Sequence, residues 1–343
     1  MSRCISLAER ATGYTKTNPR VGCIILWENT ILSEGWHQYF GGMHAEVHAL
    51  SLIPTEKEHL LPQSILYVTL EPCNHFGKTP PCSHAIVQSG IKKVIVGCVD
   101  PNPLVSGQGI QYLRNAGIEV MIGIEKSACE ELIRPYVMSM KKNRPYIILK
   151  WAQSTDGFMG KENESVWLSN PWSKRQVHKI RSQVDGILVG AGTIEFDNPE
   201  LNTRFNIGRS PVKIVLDSTK GISTEHAVFK SGEKTIIVST HSENFISSDQ
   251  LEIISVPESP ANNMTTWLEE LKNRNIGTIL VEGGTKVLQS FIDEELWDET
   301  VVIHCPKNLE NGIKAPELKH AKLNQISNLE EDTWHYFLNV NSL

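Results

Sequence analysis

One histidine and two cysteines in the first quarter of the chain have the types and the order of a metal site. His44 opens the stretch His-Ala-Glu-Val-His, and Cys73 and Cys82 follow, each directly after a proline. Imidazole nitrogen and thiolate sulfur are ligands that zinc prefers, and three protein ligands leave a fourth position for water. That is the open arrangement of a catalytic zinc, so we predict that His44, Cys73 and Cys82 hold one.

A carboxylate accompanies the predicted ligands. Glu46 follows His44 by two residues, and His-x-Glu followed by Pro-Cys and a second Cys is the signature of zinc-dependent base deaminases. Zinc would supply an activated water at neutral pH. Glu46, which is not a ligand, would carry protons to the ring nitrogen and to the leaving ammonia. The common signature has two residues between its cysteines, whereas residues 74 to 81 separate Cys73 from Cys82.

Each of these residues also has an ordinary structural explanation. Cys73 and Cys82 could be buried thiols and His44 a polar core residue, although the complete ordered pattern favours the metal site. His48 is a rival ligand because it follows His44 by one helical turn. The His-Glu-x-x-His order of metalloproteases is absent, however, so we predict that His48 is structural or supports a ligand.

Length, composition and charge restrict the class of protein. The chain has 343 residues, more than one ordinary core holds, so we predict two domains. The formal net charge of −6 is unlike the basic surface of a nucleic-acid-binding protein, and no apolar run reaches the ~20 residues of a membrane span. The first residues lack the apolar core of a signal peptide, and the seven cysteines are not spaced as a disulfide framework. We therefore expect a cytoplasmic enzyme with a small-molecule substrate and neither a nucleic-acid nor a membrane partner; the sequence leaves a homo-oligomer open.

Strands and helices alternate along the chain, which predicts an α/β layered fold. His44 is expected in the first turn of a helix that ends near Leu52. The other elements expected around the ligands are strands over 21–27, 31–35 and 65–70 and a helix over 82–89. The charged, proline-terminated stretch 141–145 indicates a linker between domains, so we predict domains 1–144 and 145–343. The second α/β set is expected to end in two closing strands, 298–305 and 334–340.

Glycines in the second half could bring backbone close to a ligand. A Gly-x-Gly-x-x-Gly dinucleotide fingerprint is absent, but Gly-Ala-Gly-Thr (190–193) and Glu-Gly-Gly-Thr (282–285) each end a predicted strand. The second precedes a helix whose N-terminal amides could hold a pyrophosphate. A plain tight turn is the alternative for both. Considered alone, the carboxylate of Asp217 at a strand end indicates a preference for NADH as the coenzyme. The residues that follow it, Ser218, Thr219 and Lys220, could instead bind the 2′-phosphate of NADPH.

Motifs in both halves carry a family resemblance. They lie at residues 18–22, 44–50, 67–73, 77–82 and 100–103, and again at 154–157, 190–193, 197–199 and 281–284. Together they resemble the bacterial bifunctional riboflavin-biosynthesis deaminase/reductase family over nearly the whole chain, and the eight-residue gap between the cysteines is usual there. The resemblance implies a cytidine-deaminase-like three-layer domain followed by a dihydrofolate-reductase-like domain.

The resemblance also implies two reactions and their ligands. Zinc would serve the deamination of 2,5-diamino-6-(5-phosphoribosylamino)pyrimidin-4(3H)-one, and NADPH would then reduce the ribosyl group of 5-amino-6-(5-phosphoribosylamino)uracil to a ribityl chain. The implied contacts of the first substrate are Asn18, His75, Lys78, Asp100 and Asn102. Those of the sugar-phosphate substrate are Ser165, Arg181, Leu201, Arg204 and Glu282. Those of the coenzyme are Trp151, Trp167, Thr193, Asp197, Ser218, Gly284, Thr285, Lys286, Val287, Leu288, Gln289 and Ser290.

Alternative functions can be weighed against the same residues. Asn and Asp favour turns in any protein, so turn chemistry is the alternative for the implied contacts of the first domain, above all for Asn102 between two prolines. A nucleoside or RNA-base deaminase with an unrelated accessory domain is the second reading, against which the acidic charge and the glycine turns count. A zinc-stabilised binding module without catalysis is the third, and the presence of Glu46 counts against it.

Overall fold

In the computed structural model, the chain divides into two compact units, Met1–Lys142 and Asn143–Leu343. The structure describes residues 1–76, 80–103, 105–162, 164–218 and 221–342. The division falls inside the charged stretch 141–145, two residues before the boundary expected from the sequence. Each unit encloses hydrophobic core residues of its own.

A five-stranded sheet organises the first unit. Its strands are β1 (Gly22–Trp27), β2 (Thr30–Trp36), β3 (Ile65–Leu70), β4 (Lys93–Cys98) and β5 (Glu119–Ile122). Its helices are α1 (Ser2–Glu9), α2 (Ala45–Ser51), α3 (Cys82–Gln88), α4 (Gln108–Asn115) and α5 (Lys126–Lys142), with a 3-10 helix over Thr55–Gln63. The sheet order is β2-β1-β3-β4-β5, with β1 antiparallel to its neighbours and the last three strands parallel.

The parallel part of this sheet brings two loops of the first unit together. β3 and β4 are adjacent, and their carboxyl ends lead to Cys73 and Asp100 respectively. Two helices of this unit pack closely at glycines, α2 against β2 and α4 against the loop after β3. A Cβ on Gly35 would overlap the backbone of α2, and a Cβ on Gly109 would overlap the carbonyl of Pro72, so only glycine permits either packing.

A nine-stranded sheet organises the second unit. Its long strands are β6 (Tyr146–Gln153), β8 (Gly186–Gly190), β9 (Val212–Asp217), β10 (Thr235–Ser239), β11 (Leu251–Ser255), β12 (Thr278–Gly283), β13 (Glu299–His304), β15 (Ala321–Leu329) and β16 (Asp332–Asn339). β7 (Phe158–Gly160) and β14 (Ile313–Lys314) form a separate pair. The order is β11-β10-β9-β8-β12-β6-β13-β16-β15, parallel from β11 to β13 and antiparallel for the last two strands.

Helices connect the parallel strands of this sheet. They are α6 (Pro171–Ser182), α7 (Ala191–Asp197), α8 (Ala227–Lys230), α9 (Met264–Asn273) and α10 (Thr285–Asp293), with 3-10 turns over Ser242–Asn244, Pro260–Asn262 and Val340–Ser342. α6 begins at Pro171 because the side chain of Asn170 caps it, accepting a hydrogen bond from the amide of Ser173 at 2.8 Å. Parallel strands separated by helices confirm the predicted α/β class.

Several elements depart from the sequence-based expectations. The structure contains an additional edge strand, β15, where only two closing strands were expected. Its residues are largely exposed and polar, so the alternation that marks a half-buried strand is missing. The helix α7 occupies residues expected to form a glycine turn, and it begins directly where β8 ends.

Candidate active sites

The three predicted zinc ligands lie together in the first unit. His44 Nδ1 is 3.5 Å from Cys73 Sγ and 3.3 Å from Cys82 Sγ, and all three ligand atoms lie within 4.8 Å of one another. Tetrahedral zinc with ordinary bond lengths separates its nitrogen and sulfur ligands by about 3.6 Å. The three side chains therefore fit a zinc ion, and among the described residues they are the one His/Cys/Asp/Glu group with this geometry.

Two helix starts position these ligands. His44 is the residue before α2, and Cys82 is the first residue of α3. The amide of Cys82 donates a hydrogen bond to Cys73 Sγ at 3.3 Å, which ties the loop after β3 to α3. The side-chain hydrogen bond from Cys82 lowers the pKa of the Cys73 thiol to about 4, so Cys73 is a thiolate ready to bind a metal.

Glu46 lies in the first turn of α2, beside the ligands. It is 3% exposed. Burial, together with the negative charge on Cys73, raises the pKa of Glu46 to about 7. A carboxyl group with that pKa can both accept and release a proton near neutral pH, which is what a general acid/base requires.

A cavity of about 210 Å³ opens onto this group, and it contains several of the residues expected to bind the first substrate. Asn18, His75 and Asp100 line it together with His44 and Glu46. Asn102 does not line the cavity. Its backbone amide donates to Asp100 Oδ1 at 2.9 Å, so Asn102 shapes the turn around Asp100. Lys78 lies outside the described residues.

His37 is a cavity residue that the sequence analysis missed. It is 3% exposed and lies edge-to-face with His44 at 5.7 Å. Its Nε2 is 3.1 Å from Asn18 Nδ2, and its Nδ1 is 2.9 Å from the carbonyl of Met43. His37 therefore fixes both a predicted ligand and a predicted substrate contact. A lone histidine after a strand carries no spacing signal that could have identified it.

Two other polar residues near the site have structural roles. His48 Nδ1 lies within 3.2 Å of the backbone of Trp36, so this histidine joins α2 to β2 and is outside the ligand group. Glu71 accepts backbone hydrogen bonds from Asp100, Gly107 and Gly109. Its carboxylate thereby holds the Asp100 loop and the start of α4 beside the end of β3.

Two adjoining cavities in the second unit contain most of the remaining predicted residues. One of about 610 Å³ is lined by Thr193, Asp197, Ser218, Gly284, Thr285, Lys286, Val287 and Ser290. The other, of about 440 Å³, is lined by Trp151, Trp167, Arg181, Leu201 and Arg204. Ser165, Thr193, Asp197 and Glu282 line both, so the two cavities share a wall.

Two residues of the predicted coenzyme stretch do not face the larger cavity. Leu288 is fully buried in the hydrophobic core, and Gln289 bonds Asp293 and the amide of Glu317. A helix turns ~100° per residue, so a continuous stretch cannot line one cavity. Leu288 and Gln289 therefore do not line the larger cavity, whereas the residues at the start of α10 and Ser290 do, and the contact of this whole stretch with the coenzyme stays a prediction.

An ion pair lies in the shared wall. Arg181 donates to both carboxylate oxygens of Glu282, and Lys150 Nζ is 3.4 Å from the same carboxylate. Burial alone would raise the pKa of Glu282, but the charges of Arg181 and Lys150 outweigh it and lower the pKa to about 2. Glu282 is therefore ionised at any ordinary pH and fixes both cations at the cavity.

The aromatic residues expected at the coenzyme differ in their surroundings. Trp151 is buried, and its Nε1 donates to Gln153 Oε1 at 2.8 Å. Trp167 is 61% exposed, and Lys174 Nζ lies 4.5 Å above its ring. Both line the smaller cavity rather than the larger one.

The strand end considered for coenzyme choice separates its two candidates. Asp217 is fully buried, and Ser239 Oγ donates to it at 3.3 Å, so its carboxylate faces the interior. Ser218, the next residue, lines the larger cavity. Thr219 and Lys220 lie outside the described residues. In the part of the chain that the structure describes, no helix is both long and apolar enough to span a bilayer.

Comparisons with known proteins match both units. Residues 1–98 match the cytidine and deoxycytidylate deaminase zinc-binding region, and residues 145–328 match the RibD C-terminal domain. The chain is 37% identical to the riboflavin biosynthesis protein RibD of Aquifex aeolicus, over 98% of this chain and 97% of that protein. It is 33% identical to the RibD of Escherichia coli over 95% of each.

Solved structures agree with these matches. A diaminohydroxyphosphoribosylaminopyrimidine deaminase/5-amino-6-(5-phosphoribosylamino)uracil reductase from Thermotoga maritima superposes with a TM-score of 0.90 at 33% identity, covering 99% of this chain and 97% of that one. A RibD from Acinetobacter baumannii gives a TM-score of 0.87 at 31% identity, over 98% and 97%. The predicted deaminase and reductase domains are confirmed, and the alternative of a nucleoside or RNA-base deaminase with an unrelated accessory domain is not supported.

Proposed function

Because this chain belongs to the RibD family of bifunctional riboflavin-biosynthesis enzymes, we propose that each unit carries one of two successive reactions. The chain is a deaminase and a reductase, with zinc serving the first activity and NADPH the second. We assign the deamination of 2,5-diamino-6-(5-phosphoribosylamino)pyrimidin-4(3H)-one to the first unit. Reduction of the ribosyl group of 5-amino-6-(5-phosphoribosylamino)uracil belongs to the second.

The convergence of His44, Cys73 and Cys82 beside buried Glu46 is the observation that carries the deaminase assignment. These three side chains would hold zinc, which supplies a Lewis acid that activates water for attack on the amino-bearing carbon. Glu46 would carry one proton from that water to the ring nitrogen as the oxygen bonds to the carbon, and a second from the added hydroxyl to the amino group, which leaves as ammonia. Its pKa of about 7 suits both transfers.

The walls of the 210 Å³ cavity would orient the pyrimidine. Asn18 offers an amide to the ring, and its contact with His37 fixes that amide in place. Asp100, at the end of β4, and His75, after β3, reach the same space from neighbouring strand ends. Polar groups at adjacent strand ends give the orientation that places the amino-bearing carbon beside Glu46.

The pair of adjoining cavities supports the reductase assignment. The amides at the start of α10 and the side chain of Ser218 would hold the phosphates of NADPH in the larger cavity. Arg181 and Arg204 would hold the sugar phosphate in the smaller one, where a planar guanidinium matches a phosphate. The residues that line both cavities would bring the two ligands together, and NADPH would supply the hydride that reduces C1′ of the sugar.

The setting of the enzyme follows from the same observations. We place its work in the cytoplasm, on small molecules, without a nucleic-acid or membrane partner. The net charge of −6 supports the absence of a nucleic-acid partner, because a polyanion would be repelled.

A two-product assay tests the proposed function. Purified, zinc-loaded enzyme receives the diaminopyrimidine substrate with and without NADPH, and ammonia and the ribityl product are followed separately. We expect ammonia in both reactions and the ribityl product only with NADPH. Absence of ammonia from the zinc-loaded enzyme would refute the deaminase assignment, and NADPH oxidation without a ribityl product would refute the reductase assignment.

A further inference from the structure

One histidine of the second unit has an unsatisfied ring nitrogen beside the smaller cavity. His178 lies on α6, three residues before Arg181, lines the 440 Å³ cavity and is 3% exposed. Its Nδ1 is buried and has no hydrogen-bond partner among the described residues. Buried polar atoms are nearly always paired in native proteins, so an exception requires an explanation.

The burial of Nδ1 indicates which nitrogen can meet a ligand. Since Nδ1 has neither a partner nor accessible surface, Nε2 is the ring nitrogen left for the cavity. A neutral imidazole carries one N–H, and an orphaned buried N–H is rarer than an unsatisfied acceptor. The proton therefore belongs on Nε2, which makes His178 a hydrogen-bond donor toward the cavity.

Neighbouring groups keep this ring neutral and fix its plane. Burial, followed by the positive charges of Arg181 and Arg204, lowers the pKa of His178 to about 4. Phe205 lies edge-to-face with the ring, with 4.8 Å between centroids and 90° between planes. The ring therefore presents a fixed, uncharged N–H at neutral pH.

The groups around His178 suit an acceptor that carries negative charge. Lys174, one turn before His178 on α6, lies over Trp167 and Phe205, and it pairs with no carboxylate in the described ranges. Arg204 lines the same cavity and donates to Glu200 Oε2 at 3.3 Å and to Asn202 Oδ1 at 3.0 Å, and its side chain is 42% exposed, so its guanidinium remains accessible to a ligand. The carboxylate of Glu282 is occupied by Arg181 and Lys150. A phosphate, which at neutral pH is chiefly a hydrogen-bond acceptor, fits such a set of donors.

We propose that His178 is a substrate-binding residue of the reductase, and that its Nε2–H donates a hydrogen bond to the phosphate of the phosphoribosyl substrate. The proposal rests on the function proposed above, which puts that substrate in the 440 Å³ cavity. His178 then completes a phosphate seat with Lys174, Arg181 and Arg204. Because Phe205 fixes the plane of the ring, the Nε2–H of His178 can donate only to a phosphate oxygen that lies along one direction.

Two substitutions separate the hydrogen bond from packing. His178→Leu removes the donor and also the unpaired nitrogen, so the ligand-free chain should fold and melt at or above the wild-type temperature. His178→Gln places an amide N–H near the position of Nε2. Lys179→Gln, an exposed neighbour on α6, is the matched control. The probes are ribose 5-phosphate and ribose, titrated calorimetrically into the full-length chain, together with steady-state reduction of the natural substrate.

We expect His178→Leu to raise the Kd for ribose 5-phosphate and the reductase KM about 10- to 100-fold, the usual range for a hydrogen bond to a charged group. kcat, deamination and the response to ribose should stay close to wild type. His178→Gln and Lys179→Gln should stay within about threefold of wild type in every measurement, since both leave a donor at the seat.

Contrary results have distinct meanings. Wild-type affinity for ribose 5-phosphate in His178→Leu would overturn the role of His178, as would equal losses in His178→Leu and His178→Gln, because packing would then explain both. A wild-type chain that reduces its substrate but fails to bind ribose 5-phosphate would overturn the phosphate seat alone. A wild-type chain without reductase activity would overturn the proposed function itself.

Discussion

Arg181 and Glu282 are 101 residues apart in the sequence, yet they meet through two parallel hydrogen bonds in the second unit. Arg181 Nε donates to Oε1 at 2.8 Å, and Nη2 donates to Oε2 at 2.7 Å. Both side chains are largely buried, so the loss of either leaves an uncompensated charge. The pair joins α6 to the end of β12, and thereby sets the wall between the two cavities.

Acid should weaken the second unit through this pair. The pKa of Glu282 in the folded chain is about 2, below its unfolded value of about 4.3, so the ionised carboxylate stabilises the fold above pH 4.3. That stability is lost as the pH falls from about 4.3 toward 2. We expect the melting temperature of the second unit, measured by calorimetry on the full chain, to fall across this window.

Glu282→Gln should reduce the slope of melting temperature against pH and lower the free energy of unfolding at pH 7 by about 3–5 kcal/mol. Asp293→Asn, which disrupts an exposed pair with Lys319, is the control and should change both far less, because an exposed ion pair contributes only about 0–1 kcal/mol. An unchanged slope in Glu282→Gln would contradict the assignment.

Removal of one sulfur ligand should abolish the first reaction alone. Cys82→Ser should lose zinc and deaminase activity together while NADPH-dependent reduction of pre-deaminated substrate continues. Metal content by atomic absorption and ammonia release are the two measurements. Cys98→Ser alters a buried thiol outside the ligand group and should keep its zinc. Full zinc content in Cys82→Ser would mean that another residue completes the site.

The proton carrier can be separated from the ligands. Glu46→Gln keeps the shape of the side chain but cannot carry a proton. Zinc should therefore be retained while deamination falls by about 10²–10⁴-fold, the contribution of a general acid/base. Glu34→Gln, which alters a partly exposed carboxylate that pairs with Arg3 on the other side of β1, should leave the rate unchanged. Near-normal turnover in Glu46→Gln would show that another group moves the proton.

The exact start of the second unit should matter for an isolated reductase. Arg144 donates to both oxygens of Asp298, at 2.6 and 2.9 Å, and both side chains are buried. A fragment that starts at Asn143 keeps this pair and should fold and reduce pre-deaminated substrate. One that starts at Pro145 deprives a buried carboxylate of its cation and should be less stable by about 3–5 kcal/mol. Urea titrations of the two fragments make the comparison, and equal midpoints would contradict it.

Coenzyme preference tests the turn after β9. Asp217 faces the interior and Ser218 lines the larger cavity, an arrangement that favours the 2′-phosphate of NADPH over the free hydroxyls of NADH. We expect Ser218→Ala combined with Lys220→Ala to lower kcat/KM for NADPH and to leave that for NADH nearly unchanged. If the double variant discriminates against NADH as strongly as wild type does, the 2′-phosphate binds elsewhere.

The ligand group was predictable because its signal is local. Histidine, glutamate and two proline-preceded cysteines keep a fixed order, and the helix starts at Ala45 and Cys82 follow from the same stretches. The strands with continuous apolar residues, such as β3 and β8, were equally evident. In each case a few neighbouring residues carry the whole pattern.

The remaining features depend on contacts between distant segments. His37 reaches the site only because β2 ends beside α2. The orientation of the His178 ring and its lowered pKa depend on Phe205 and Arg204, which lie on a later loop. β15 is an exposed edge strand without alternation. Leu288 is a different case, because its signal is present in the sequence: helical periodicity alone would have assigned it to the core.

The shared wall between the two cavities makes their ligands thermodynamically interdependent. Ser165, Thr193, Asp197 and Glu282 contact whatever occupies either space, so one occupant alters the surface offered to the other. Linkage requires the effect to be reciprocal: the factor by which coenzyme changes the dissociation constant of the sugar phosphate equals the factor by which sugar phosphate changes that of the coenzyme. Inhibitors designed for one cavity will therefore have potencies that depend on how full the other is.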